Sequence, residues 1–199
     1  IPMIESIDTR DNRVQGLVLA PTRELAIQIA KHISQLSKYT GIKVCPIYGG
    51  QKISHQIKKL KKGVHIVVGT PGRMLDHLRR GTLRLDSVNM IVLDEADRML
   101  DMGFIHDINK ILKKVPNKKQ TGLFSATMDR NLWKICNKYM QKPEKILVSK
   151  DEITLEQIKQ KYIRVDRQSR YPILRELLAE QDIKKAIIFT RTRRGARRL

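Results

Sequence analysis

Met90-Ile91-Val92-Leu93 runs directly into Asp94-Glu95-Ala96-Asp97, four apolar residues followed by a tetrapeptide with three carboxylates. A short apolar run of this kind suits a strand buried on both faces of a parallel sheet. Open parallel sheets bind ligands at the carboxyl ends of their strands, and the acidic tetrapeptide falls at that end. An Asp there can position Mg²⁺, through water because this ion gives up its hydration shell reluctantly. A neighbouring carboxylate can orient and deprotonate a water that attacks a terminal phosphate. Taken alone, the tetrapeptide also fits an ordinary acidic turn after a strand.

Outward from this stretch, strands alternate with amphipathic helices, the pattern of a parallel sheet with helices on both faces. Upstream, Gly16–Ala20, Val44–Tyr48 and His65–Val68 read as strands. Between them, Leu25, Ile29, Ile33 and Leu36 recur at helical spacing up to Gly41, and a basic helix runs from about Ser54 to Lys62. Met74, Leu75 and Leu78 mark a further helix closed by Gly81. Downstream follow a helix face at Phe104, Ile108, Ile111 and Leu112, a strand at Thr121–Phe124, a helix through Leu132, Ile135, Cys136 and Tyr139, and a strand at Ile146–Val148. A polar stretch then divides the chain into a domain at 1–149, a linker at 150–157 and the start of a second domain at 158–199. That second part is expected to hold a strand near Ile158–Val165, a helix around Leu174–Leu178 and a strand at Ala186–Phe189.

The net charge of +20 points to a polyanionic partner. Clusters at Lys58, Lys59, Lys61 and Lys62, at Lys113, Lys114, Lys118 and Lys119, and from Arg191 to Arg198 carry much of it, although each also fits a solvated helix face. Aromatic residues make up only 5% of the chain, so a bound nucleic acid would be held by its backbone rather than by stacking. Cys45 and Cys136 stand far apart without metal-ligand spacing, which suits buried thiols in a reducing cytosol. No stretch approaches the roughly 18 apolar residues of a membrane span, and the amino end has no secretory pattern.

Each remaining motif follows a predicted strand. These are Pro21-Thr22-Arg23-Glu24-Leu25, Gly49-Gly50, Thr70-Pro71-Gly72-Arg73 and Ser125-Ala126-Thr127. Turns that open helices expose N–H groups suited to phosphate oxygens, and Arg23 and Arg73 can add charge-assisted bonds. Singly, Thr22 also fits a helix N-cap, Pro71 a first-turn proline and Gly49-Gly50 a tight turn.

In this order the set closely resembles the DEAD-box ATP-dependent RNA helicase family. Asp94-Glu95-Ala96-Asp97 is similar to its naming motif, Pro21–Leu25 to motif Ia, and Ile187–Thr192 to motif IV. The resemblance implies a RecA-like P-loop NTPase fold whose first domain lacks its P-loop strand, followed by the start of a second RecA-like domain. It implies ATP as substrate and Mg²⁺ held through water by Asp94, with Glu95 aligning the attacking water. Asp97 would link to Ser125 and Thr127, completing the catalytic set. Thr22, Arg23, Gly50, Thr70, Gly72 and Arg73 would line the RNA backbone track, joined by Phe189 and Thr190. RNA is the implied partner of a cytoplasmic monomer, with accessory protein partners open.

No G-x-x-x-x-G-K-[ST] sequence occurs in the chain. The expectation is a window cut from a protein about twice as long, inactive as an ATPase by itself. A basic, ATP-independent RNA-binding module is the competing reading, and a DNA helicase is a third.

Overall fold

A computed structural model describes residues 1–148, 161–166, 169–180 and 183–199. It divides into two units, Ile1–Val148 and Ser149–Leu199. The expected linker at 150–157 and the first residues of the strand expected from Ile158 lie outside the described residues.

In the first unit, β1 (Gly16–Leu19), β2 (Val44–Ile47), β3 (Ile66–Gly69), β4 (Met90–Leu93) and β5 (Gln120–Leu123) form one sheet. Its order is β2-β3-β1-β4-β5, and every pairing is parallel. Pro46, which has no N–H to donate, lies on the edge strand β2. Successive side chains of a strand point to opposite faces, so each central strand feeds two cores. Leu17 and Leu19 of β1, Val67 of β3 and Ile91 and Leu93 of β4 join one cluster with Met74, Met99, Ile108, Ile111 and Leu132. Val18, Ala20, Ile66 and Val68 face the other way, against Met3, Ala26 and Ala30.

The helices of this unit are α1 (Pro2–Glu5), α2 (Arg23–Leu36), α3 (Ile53–Lys61), α4 (Pro71–Arg79), α5 (Ala96–Asp101), α6 (Ile105–Leu112) and α7 (Arg130–Tyr139). Thr22 caps α2, its hydroxyl oxygen accepting from the Leu25 N–H at 3.3 Å. Asp129 caps α7 through the Asn131 and Leu132 N–H groups. Gly69 is obligatory at the end of β3, because a Cβ there would run into the Ile47 carbonyl that accepts the Thr70 N–H. Helix α5 was not legible in the sequence: its six residues are too few to show a period.

Three expected strands are corrected. Ile146–Val148 has no regular structure and is exposed, Val148 to 98%. The sheet ends at β5, which pairs only with β4, so these residues have no strand to join among the described residues. In the second unit, the described residues 161–166 and 183–190 are also irregular, so no strand forms over 161–165, the described part of the one expected near Ile158–Val165, nor at Ala186–Phe189. That unit holds α8 (Arg170–Glu180), covering the helix expected at Leu174–Leu178, and α9 (Arg193–Arg198). A strand gains its hydrogen bonds only from a partner, and apolar sequence alone supplies none.

Candidate functional site

The last residues of the five strands stand in register: Leu19 opposite Gly69 and Leu93, Ile47 opposite Gly69, and Leu93 opposite Leu123. The turns that follow therefore emerge along one rim. Thr22, Gly50, Thr70, Asp94 and Ser125 all belong to these turns, brought together from 104 positions of sequence by the sheet alone.

At Glu95 the chain leaves β4 in the left-handed region, φ 47° and ψ 52°, which a non-glycine residue rarely adopts. The turn is fixed on both sides. Asp94 Oδ1 accepts the Glu95 N–H at 3.0 Å, and the Phe124 carbonyl of the neighbouring turn accepts the Ala96 N–H at 3.0 Å. Backbone strain of this kind, about 1–3 kcal/mol, persists where surrounding bonds over-determine the conformation. Arg98 Nη1 lies 3.1 Å from Glu95 Oε2, one helical turn on.

Asp97 is the junction of two motifs. Its Oδ2 accepts the Thr127 N–H at 2.9 Å and the Thr127 hydroxyl at 3.0 Å. Ser125 Oγ accepts the Asp97 N–H at 3.2 Å and donates to the Thr127 carbonyl at 2.6 Å. Burial pushes the Asp97 carboxyl up, but the Arg98 N–H together with Thr127 and Ser125 outweighs that and holds it below its ordinary 3.8.

Asp94 uses one carboxylate oxygen on the Glu95 N–H, and its Oδ2 has no protein partner among the described residues. No group of three or more His, Cys, Asp or Glu side chains that could hold a metal occurs among those residues either. A single half-buried carboxylate suits Mg²⁺ that keeps its waters and arrives with phosphate oxygens; it does not suit a metal caged by protein.

The other half of the rim is basic and open. The Arg23 guanidinium lies 5.0 Å from the centre of the Tyr48 ring. Gly50 has φ +83°, and a Cβ there would sit 3.4 Å from Arg23 Nη1. Arg23, Tyr48 and Gly50 thus form one contact set from two turns. Arg73 is less free than its motif implies, since its Nη1 donates to the Gln51 carbonyl at 3.2 Å and its Nε lies 3.9 Å from Asp76 Oδ2. The Thr70 hydroxyl makes no capping bond at α4, and Gly72 is exposed with only Asp107 Oδ2 within 4 Å of a built Cβ.

Phe189 and Thr190 belong to the second unit. Phe189 is exposed, and the Thr190 hydroxyl donates to the Thr192 carbonyl at 3.0 Å. Sequence reasoning missed Tyr48, Gln51 and Arg98. Tyr48 alone left a signal, an aromatic directly before Gly49-Gly50 in a chain poor in aromatics. Cys45 and Cys136 are both buried, and burial pushes each thiol up, away from reactivity. Among the described residues no helix is long and apolar enough to cross a membrane.

A family profile described as DEAD/DEAH box helicase matches residues 1–135. The chain is 48% identical over 194 residues to the DEAD-box ATP-dependent RNA helicase CshA of Bacillus cereus, covering 98% of this chain and 37% of that protein. The protein of the same name from Geobacillus kaustophilus is also 48% identical, with 42% of its length covered. Among solved structures, a DEAD box protein from the hyperthermophile Methanococcus jannaschii matches with a TM-score of 0.71 and 42% identity, covering 100% of this chain and 53% of that one. A hypothetical ATP-dependent RNA helicase from Sulfolobus tokodaii matches 66% of this chain with a TM-score of 0.63 and 42% identity. The chain spans less than half the length of these curated relatives.

Proposed function

The chain belongs to the DEAD/DEAH box helicase family, with the α/β parallel sheet of its RecA-like domains, and we propose that the complete protein is an ATP-dependent RNA helicase. It grips one RNA strand by its backbone and couples ATP hydrolysis to local strand separation. The observation that supports this most is the bonding of Asp97 to both Ser125 and Thr127, which ties the acidic motif to the neighbouring turn.

ATP is the substrate; Asp94 would hold Mg²⁺ through water, and the ion when bound would neutralise charge on the phosphate oxygens. Glu95 aligns the attacking water and takes its proton. Because Ser125 and Thr127 share Asp97, a change at the phosphates shifts the turn that leads away from β5, and so drives domain closure. Thr22, Arg23, Gly50, Thr70, Gly72 and Arg73 hold phosphates and 2′-hydroxyls, and in the second unit Phe189 and Thr190 serve as further RNA contacts. Contacts of that kind distinguish RNA from DNA without reading sequence.

In the full-length protein, Glu95→Gln removes the base and keeps the shape of the side chain. RNA-stimulated phosphate release is expected to fall at least about a hundredfold, as general-base removal does elsewhere, while ATP-dependent retention on RNA survives. Unchanged turnover removes Glu95 from the chemistry.

The net charge of +20 favours a second activity for the 199-residue chain itself: sequence-independent RNA binding without ATP. Lacking a G-x-x-x-x-G-K-[ST] sequence, this chain is expected to release no phosphate. Its RNA affinity should fall steeply across a salt series, equally with and without ATP.

A further inference from the structure

Below the basic half of the rim lies a line of buried polar side chains that none of the motifs explains. His77, on α4 one turn beyond Arg73, is 0% exposed, and Gln56, on α3, is 1% exposed. His77 Nε2 lies 2.9 Å from Gln56 Oε1, and Gln56 Nε2 donates to the Tyr48 carbonyl at 2.9 Å. On the other side of the ring, His77 Nδ1 lies 2.8 Å from Thr82 Oγ1.

The directions of the two bonds nearest Tyr48 follow from that end. The Tyr48 carbonyl can only accept, so it takes the amide N–H of Gln56 and turns Oε1 towards His77. Oε1 also only accepts, so Nε2 of His77 carries the proton. The neutral ring then leaves Nδ1 bare, and the Thr82 hydroxyl donates to it; the His77 carbonyl, at 3.2 Å, is the more distant acceptor. Burial holds the His77 pKa below its ordinary 6.5, with Arg73 and Arg80 adding to that effect and Asp76 opposing it. From His77 to Tyr48 the line therefore runs one way.

Tyr48 is the residue before Gly49-Gly50, and its ring lies against Arg23. At the far end of the same turn, the Gln51 carbonyl accepts from Arg73. The turn is thus pinned at both ends to α3 and α4, with two glycines between the pins. Glycines by themselves would leave that stretch many conformations.

We propose that His77 is a positioning residue for strand binding: through Gln56 it fixes the Tyr48 carbonyl, and with it the Gly49-Gly50 turn and the ring behind Arg23. This rests on the reading of Arg23 and Gly50 as RNA contacts. His77 touches no RNA and takes no part in the chemistry, so it acts on how firmly RNA is held and not on how fast ATP is cleaved once RNA is saturating.

The test uses the full-length protein and measures ATP turnover against RNA concentration. His77→Leu keeps the volume and removes the bonds; His77→Gln places an amide nitrogen near the position of Nε2. Losing one buried hydrogen bond, about 1 kcal/mol, corresponds to roughly a fivefold rise in the KM for RNA, with kcat unchanged. His77→Gln should restore most of the affinity. Gln56→Met breaks the same line from α3 and decides the matter if His77→Leu does not fold. Arg23→Ala serves as the reference for the track itself. If Arg23→Ala raises the KM for RNA while both His77→Leu and Gln56→Met leave it unchanged, the positioning role is overturned and the track stands. If His77→Gln is as weak as His77→Leu, the Nε2 donor is not what matters and the proposal also fails. If Arg23→Ala has no effect either, the RNA track itself is wrong.

Discussion

Between Asp94 and Thr127 the rim is closed by side chains bonding to one another across adjacent turns; between Arg23 and Arg73 it is left open, with glycines at the surface. On the acidic side Asp97 meets Ser125 and Thr127 in bonds of 2.9–3.2 Å and its carboxyl is held below its ordinary pKa. On the basic side Gly49, Gly50 and Gly72 are exposed, and the arginines lie against a ring and a carbonyl. The difference follows from the chemistry proposed for each half. Aligning a water against a phosphate requires fixed carboxylates, whereas gripping a sugar-phosphate backbone requires accessible N–H groups and charge. Rigidity is built from side chains in the first half. In the second it comes from beneath, through Gln56 and His77.

Glu95→Gln should break the comparison most sharply, lowering turnover in the full-length protein at least about a hundredfold while leaving RNA affinity intact. Next in size is Asp97→Asn, which keeps the shape and removes the charge from the bonds to Thr127. A charge-assisted bond exceeds a neutral one by about 1 kcal/mol, so RNA-stimulated turnover is expected to fall roughly five- to tenfold. The same variant has a pH signature. A carboxylate whose folded pKa lies below its unfolded 3.8 stabilises the fold above that value and loses its effect as pH falls through the folded one. The gap between wild type and Asp97→Asn in urea unfolding should therefore be full at neutral pH and close in acid.

On the basic half, Arg23→Ala should raise the KM for RNA several-fold, at about 1 kcal/mol for one phosphate contact, and lower the slope of log affinity against log salt by roughly one. Kcat at saturating RNA should stay as it was. The smallest effect is expected from Tyr48→Leu, which keeps an apolar body and loses the ring under the guanidinium. At about 0.5–1 kcal/mol for an exposed cation–π pair, RNA affinity should drop roughly two- to fivefold. If Tyr48→Leu instead slowed turnover at saturating RNA, the two halves of the rim would not be separable in the way described.

Much of this was legible in the sequence. The apolar runs Gly16–Ala20, Val44–Tyr48, His65–Val68 and Met90–Leu93 read as strands, and the structure has strands at Gly16–Leu19, Val44–Ile47, Ile66–Gly69 and Met90–Leu93. Leu25, Ile29 and Ile33 are partly buried against the cluster that holds Ala26 and Ala30, whereas Leu36, expected on the same stripe, is exposed at the end of α2. The motif order placed Thr22, Thr70, Asp94 and Ser125 after successive strands, and a parallel sheet puts such positions on one edge. Ile146–Val148 and Ala186–Phe189 carry the same apolar signal and form no strand, because the signal reports what a residue would bury and not whether a partner is present.

From the amino-acid sequence alone came the α/β class, the chain order of the five sheet strands and the family, since each depends on neighbours within one helical turn or on residues in fixed order. The tertiary structure alone decided that Glu95 enters α5 through a left-handed turn, that Arg73 bonds to the Gln51 carbonyl, and that His77 reaches Tyr48 through Gln56. Arg73 and Gln51 stand 22 positions apart, and His77 and Gln56 21. Packing sets which polar atoms come within 3 Å of one another, and no local pattern records it.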